Sequence, residues 1–170
     1  MMCGITGTPG TGKSSAADEL ALRGYPVVRL AETVQGYVIG EDRERDTRII
    51  DEDRWIREFI PIEGIVEGHF VHLLPCDRVV ILRCRPDILL ARLRSRGYGE
   101  EKCRENAEAE ALDVCLIETL ERHPPEHILE LDATVISAGK VADIIEDFLK
   151  GRIPPSHGGI DWSEYLAEAV

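Results

Sequence analysis

The stretch Gly7-Thr8-Pro9-Gly10-Thr11-Gly12-Lys13-Ser14 decides how this chain is read. It satisfies G-x-x-x-x-G-K-[ST] in full, with an apolar run before it and a helical pattern after it. Each residue type has a physical reason. Glycines let the backbone turn so that successive N–H groups converge on one anion. A helix starting there points the positive end of its dipole at the same place. Lys13 brings a point charge to the outer phosphates, and the Ser14 hydroxyl is an oxygen ligand of the kind Mg²⁺ prefers. The expected contacts to ATP are Gly10, Gly12, Lys13, Ser14 and Ser15, with Mg²⁺ on Ser14.

Outward from this loop, residues 2–6 read as a buried first strand and 14–23 as a helix, with Ala17, Leu20 and Ala21 at i, i+3, i+4 spacing. Gly24 stops that helix, and 26–30 suits a second strand. The periodicity fades over 31–48. There the run Glu41-Asp42-Arg43-Glu44-Arg45-Asp46 is expected to be a solvated loop or mobile flap. Residues 51–59 look helical, with acidic residues at the start where they complement the helix dipole. Residues 62–67 and 78–84 read as the third and fourth strands. The latter is a Val-Val-Ile-Leu run apolar on both faces, as parallel strands covered on two sides are. Pro86 opens a helix that runs to Arg96 and ends at Gly97. One long helix is expected from 102 to about 121, a fifth strand over 127–131, and a last helix over 138–150 capped by Ser137. The tail from 152 carries Pro154-Pro155, Gly158-Gly159 and an amphipathic piece around Trp162, Tyr165 and Leu166. Strands and helices alternate. They predict an α/β fold with a parallel five-stranded sheet and helices on both faces, in a single domain over 1–170.

Other polar groups fall where such a fold binds ligands. Glu67-Gly68-His69 ends the third strand, and open parallel sheets bind beyond the carboxyl ends of their strands. Glu67 can hold Mg²⁺ through water or orient an attacking group; His69 can accept a proton or position a water. Arg85, Arg92 and Arg96 fall close to one helix face. In a chain this acidic, Arg92 and Arg96 suggest contact with phosphates, since phosphoryl transfer is mostly positioning and charge stabilisation. Arg54 is a candidate for the phosphate of a second nucleotide. Lys13, Glu67, His69 and Arg96 are the candidate catalytic residues, Arg96 also touching ATP.

The formal net charge of -12 disfavours strong direct binding to nucleic acid or an anionic membrane, both polyanions. It suits a basic partner such as a ribosomal protein. The five cysteines form no C-x-x-C pair and no zinc-ligand spacing. No signal peptide or membrane-length apolar run is seen. The expected setting is the reducing cytoplasm.

Several segments together resemble the adenylate kinase isoenzyme six family, also described as nuclear or archaeal ribosome-assembly ATPases. They are GTPGTGKSS (7–15), IDEDR (50–54), the E-x-H at 67–69, CDRVVILR (76–83) and RLRSRGYGEEKCRENAEAEALDV (92–114). In the last, R-G-Y followed by E-K and E-N-x-x-x-E is the most specific. The resemblance spans about 3–148, and the tail IDWSEYL looks like tails of archaeal members. It implies the fold of a P-loop nucleoside monophosphate kinase, with a monophosphate-binding flap at about 28–50 and a short lid at about 95–105. It also implies Mg²⁺-dependent transfer from ATP to AMP and similar nucleotides, a slower ATPase activity, and a small-subunit ribosomal protein as partner in late rRNA maturation. Two positions depart from the pattern. Relatives often carry Asp in the place of Glu67. Where some carry a flap arginine, this chain has Glu32, leaving Arg29, Arg45 and Arg48 as substitutes. No cysteine quartet follows Gly97, so the zinc-bearing lid of some bacterial adenylate kinases is not expected. Three readings stay open: a broad-specificity nucleoside monophosphate kinase, an ATP-switched assembly factor in which Glu67 and His69 place a water, and a kinase of another small metabolite.

Overall fold

Alternation of apolar side chains along the strands sorts the core into two layers around one sheet. In the computed structural model, which describes residues 1–42 and 47–168, the strands are β1 (Met2–Thr6), β2 (Val27–Arg29), β3 (Val38–Asp42), β4 (Thr47–Ile50), β5 (Gly64–Glu67), β6 (Arg78–Arg83) and β7 (Ile128–Asp132). The helices are α1 (Lys13–Leu22), α2 (Leu30–Thr33), α3 (Glu52–Glu58), α4 (Pro86–Ser95), α5 (Glu100–Ala111), α6 (Val114–Arg122), α7 (Ala138–Leu149) and α8 (Glu164–Glu168). Five strands form the parallel sheet in the order β2-β5-β1-β6-β7. On one face Cys3, Ile5, Val80 and Leu82 pack with Leu20 of α1 and with Val141, Ile145 and Phe148 of α7. On the other, Met2, Val66, Val79 and Ile81 pack with Leu30, Trp55 of α3 and Leu116 of α6. Each such side chain, fully buried, contributes roughly 1.5–3 kcal/mol. Among the described residues no helix is long and apolar enough to cross a membrane.

The expected five-stranded parallel sheet is the sheet observed, and most boundaries agree to within two residues. Two expectations need correction. Where the periodicity fades, β3 and β4 pair antiparallel as a hairpin. β-Branched residues at both ends, Val38 and Ile39 against Ile49 and Ile50, supply its strand preference. The segment is too short for a period to show against its charged centre. Of the expected charged loop, Glu41 and Asp42 belong to β3, and residues 43–46 lie outside the described residues.

The long helix expected over 102–121 is divided into α5 and α6 at Asp113, whose φ is 55°. The cause lies in the sheet. Arg83, at the end of β6, donates from Nη2 to the Glu110 carbonyl at 2.8 Å and to the Asp113 carboxylate. That takes the acceptor a continuous helix would offer to Val114. Aspartate is among the few non-glycine residues that enter the left-handed region at modest cost.

Candidate active site

The strand order puts the glycine-rich loop at the centre of the sheet. β1 lies between β5 and β6, so the chain leaving Thr6 enters the crevice beyond the carboxyl ends of the strands. Gly7 has a φ of 137°, and a Cβ there would stand 2.3 Å from the Leu82 carbonyl oxygen. Only glycine lets the loop begin this tightly against β6. A Cβ on Gly10 would stand 2.8 Å from Leu89 Cδ1, so the loop also lies directly on α4.

Lys13 is buried in the first turn of α1 and donates to the carbonyls of Gly7 at 2.8 Å and Thr8 at 3.0 Å. Burial pushes its pKa down to about 8, with Glu67 pulling the other way. A cation so poorly solvated is stabilised when a phosphate arrives beside it. The exposed Ser14 hydroxyl lies 3.4 Å from both carboxylate oxygens of Glu67. Glu67 is buried at the end of β5 and accepts from Arg29 at 2.7 Å. Arg29, at the end of β2, also pairs with Asp18 of α1. A hydroxyl and a carboxylate facing each other fit Mg²⁺, which takes one or two protein oxygens and completes its shell with water and phosphate.

His69 follows β5 and donates from Nδ1 to the Gly7 carbonyl at 3.1 Å, which leaves Nε2 as the lone-pair nitrogen. Burial, then the nearby charge of Lys13, lowers its pKa to about 4. It is therefore neutral at pH 7 and chemically able to accept a proton or orient a water. Gly7 thus accepts from both Lys13 and His69, which brings two of the expected catalytic groups onto one carbonyl.

Arg92 and Arg96 share a cleft of about 200 Å³ with Gly10, Gly12 and Ser15, closed by an apolar wall that includes Ile136 and Val141. Arg92 donates to the Gly10 carbonyl at 3.3 Å and to the Thr134 carbonyl at 2.7 Å, tying the loop to the turn after β7. Arg96 is exposed at the C-terminal cap of α4. Arg85 does not join them. It caps the opposite end of the helix and pairs with Asp87 at 2.6 and 2.8 Å. Arg54 is exposed on α3, donates to Glu58 at 3.0 Å and sits over the Tyr37 ring. Among the flap substitutes, Arg29 reaches Glu67 and Arg48 is exposed on β4, as Glu32 is on α2. Arg45 lies outside the described residues.

Sequence reasoning missed a buried polar frame behind the site. Thr6 Oγ1 lies 2.9 Å from the His69 carbonyl and 2.8 Å from His72 Nδ1. The other ring nitrogen of His72 donates to Glu118 at 2.9 Å, and burial lowers the His72 pKa. Arg83, Glu110 and Glu130 form a second buried cluster. Arg83 had one visible signal, a cation closing the apolar run from Val79 to Leu82.

The sequence profile of a family described as "AAA domain" matches residues 3–113. A "Putative adenylate kinase" of Archaeoglobus fulgidus is 42% identical, over an alignment covering 100% of this chain and 96% of the relative. A protein of the same description from Methanothermobacter thermautotrophicus is 43% identical, with 98% and 99% covered. Among solved structures, shikimate kinase from Acinetobacter baumannii in complex with shikimate has a TM-score of 0.61 at 16% identity, covering 89% of this chain and 93% of that one. Deoxyadenosine kinase from M. mycoides with bound dATP has a TM-score of 0.55 at 14% identity, covering 88% and 100%. At such identities the likeness is one of fold.

Proposed function

We propose, because the chain belongs to the family of archaeal proteins described as "Putative adenylate kinase", that this nucleotide kinase moves the γ-phosphoryl group of ATP to AMP and related nucleoside monophosphates. The observation that carries the proposal is the convergence of Lys13, Ser14, Glu67, His69 and Arg29 on one crevice at the carboxyl ends of β1, β2 and β5. An oxygen of the acceptor phosphate attacks the γ-phosphorus, and the bond from that phosphorus to the β,γ-bridging oxygen breaks, giving ADP and the acceptor's diphosphate, which is a second ADP when the acceptor is AMP. Lys13 stays with the transferred group, while Arg92 and Arg96 offset charge on the donor phosphates. Mg²⁺, held by Ser14 and through water by Glu67, supplies further neutralisation when bound. Of the candidate flap arginines, Arg29 is supported for the acceptor phosphate by its contact with Glu67 beside Ser14. Shielding the γ-phosphate from water is the task of the flap and lid segments, 28–50 and 95–105.

A slower ATPase activity belongs to the same reading. The neutral His69, with Nε2 as a lone-pair nitrogen, is suited to orient water in place of an acceptor. The isoenzyme six assignment and a basic small-subunit ribosomal protein as partner are supported by the motifs at 92–114 and by the net charge of -12. A cytoplasmic setting suits the buried free cysteines. Turnover measured across a panel of acceptors tests the proposal. AMP and other nucleoside monophosphates are expected to raise ADP formation well above the rate with ATP alone. Stimulation by a non-nucleotide hydroxyl compound, and not by any monophosphate, would establish a metabolite kinase instead.

A further inference from the structure

Thr8 is the pivot of the phosphate loop. Its carbonyl accepts from Lys13 Nζ at 3.0 Å, from Thr11 Oγ1 at 3.0 Å and from the Thr11 N–H at 3.3 Å. Its side chain turns away from those groups and donates to Glu110 Oε2 on α5, 102 residues along the chain. Glu110 and Thr8 are both buried. The second carboxylate oxygen of Glu110 accepts from Arg83 Nε at 2.6 Å and from the Cys84 N–H at 3.1 Å. Arg83 also donates to Glu130, and Glu130 accepts from the Gly158 N–H of the tail at 2.7 Å. Burial works against the Arg83 charge, but Glu110, Asp113 and Glu130 outweigh it and hold the pKa above its ordinary value.

We infer that Glu110 is a positioning residue of the nucleotide site. It fixes Thr8, and through Thr8 the carbonyl on which Lys13 rests; Arg83, Glu130 and the tail in turn fix Glu110. This deepens the reading of the loop as a nucleotide site and rests on it. A glycine-rich loop has the backbone freedom to spread over many conformations, and binding affinity falls when that freedom must be lost on association. A buried carboxylate with donors on both oxygens cannot rotate without losing charge-assisted hydrogen bonds. The Thr8 hydroxyl transmits that rigidity to the loop. α5 also begins directly after the turn that carries Arg96, so one helix sets the loop and adjoins the arginine facing it.

The test compares Thr8→Val, which removes the hydroxyl at nearly constant volume, with Thr8→Ser, which keeps it. ATP is titrated calorimetrically into each with Mg²⁺ present, well below the unfolding midpoint, and KM for ATP and kcat are measured alongside. A hydrogen bond to a charged group implies a loss of affinity for Thr8→Val of about tenfold or more. Thr8→Ser should lie within about twofold of wild type, since its hydroxyl still reaches the charged Glu110 acceptor. Glu110→Gln should reproduce the Thr8→Val loss, and the double variant should be no worse than the worse single one. A general structural role would lower the unfolding temperature without this serine rescue. Thr8→Val binding ATP as wild type does would overturn the inference, as would equal impairment of the serine and valine variants. If Glu110→Gln does not fold, the valine and serine pair still decides. A wild-type chain that bound no ATP would remove the nucleotide site and this inference with it, a result distinct from intact binding that ignores the hydroxyl.

Discussion

At the scale of single residues, Lys13 and His69 are both held against their charged forms. For Lys13 the folded pKa of about 8 lies below the ordinary 10.5. Below pH 8 its charge is a full burden on the fold, and the burden fades as pH rises from 8 towards 10.5. Lys13→Met should therefore keep or raise the unfolding temperature at pH 7, while turnover falls by about a hundredfold or more as a phosphate-stabilising charge is lost. Phosphates restore the favour for the charged amine. ATP binding near pH 8.5 should then take up most of a proton, and near pH 7 little, as read by calorimetry in two buffers of different ionisation enthalpy. His69 has a folded pKa of about 4 against an ordinary 6.5. The unfolded chain binds its proton first, so stability falls as pH drops from 6.5 towards 4. His69→Gln should flatten that part of the profile of unfolding midpoint against pH, and a slope as steep as that of wild type would count against the buried neutral histidine.

At the scale of elements, α2 and the segment that follows it to Tyr37 share a core cluster with Trp55. Its ring is fully buried under the sheet, its Nε1 donates to Thr33 at 3.3 Å, and its neighbours include α2 and the segment around Tyr37. Trp55→Ala should cost about 3–5 kcal/mol of stability, from lost burial and the cavity left behind. If residues 28–50 cover the acceptor, a milder Trp55→Phe should raise KM for AMP and leave ATP affinity unchanged; equal effects on both nucleotides would separate the flap from the acceptor. The elements also show which signals a sequence carries. The strands of the central sheet were legible because Val79 to Leu82 is apolar on both faces, as a strand covered by helices on two sides must be. Glu67, which ends β5, and His69, just beyond it, were legible as candidates from that place at a strand's carboxyl end. The break at Asp113 was not. It depends on Arg83 reaching across from β6 to a carbonyl of α5, and no local period records a contact between positions 83 and 110. The hairpin of β3 and β4 escaped for a different reason: four or five residues per strand are too few for alternation to outweigh a charged run.

At the scale of the whole molecule, the sheet gathers residues distant in sequence at one edge. Arg29, Glu67 and Arg83 each end a strand, and Thr6 ends β1 before the phosphate loop begins. The tail is part of this gathering. Ser156 pairs with Leu129 at the edge of β7, Gly158 holds Glu130, and α8 packs on α5. Deleting residues 153–170 should lower the unfolding temperature and weaken ATP binding together. A truncated chain with unchanged affinity would confine the tail to stability. AMP and water compete for one γ-phosphoryl group, and its fate tells them apart. With γ-labelled ATP, Mg²⁺ and AMP in a single turnover, label is expected at the β-position of newly formed ADP. Label recovered only as inorganic phosphate, whether or not AMP is present, would contradict transfer to AMP.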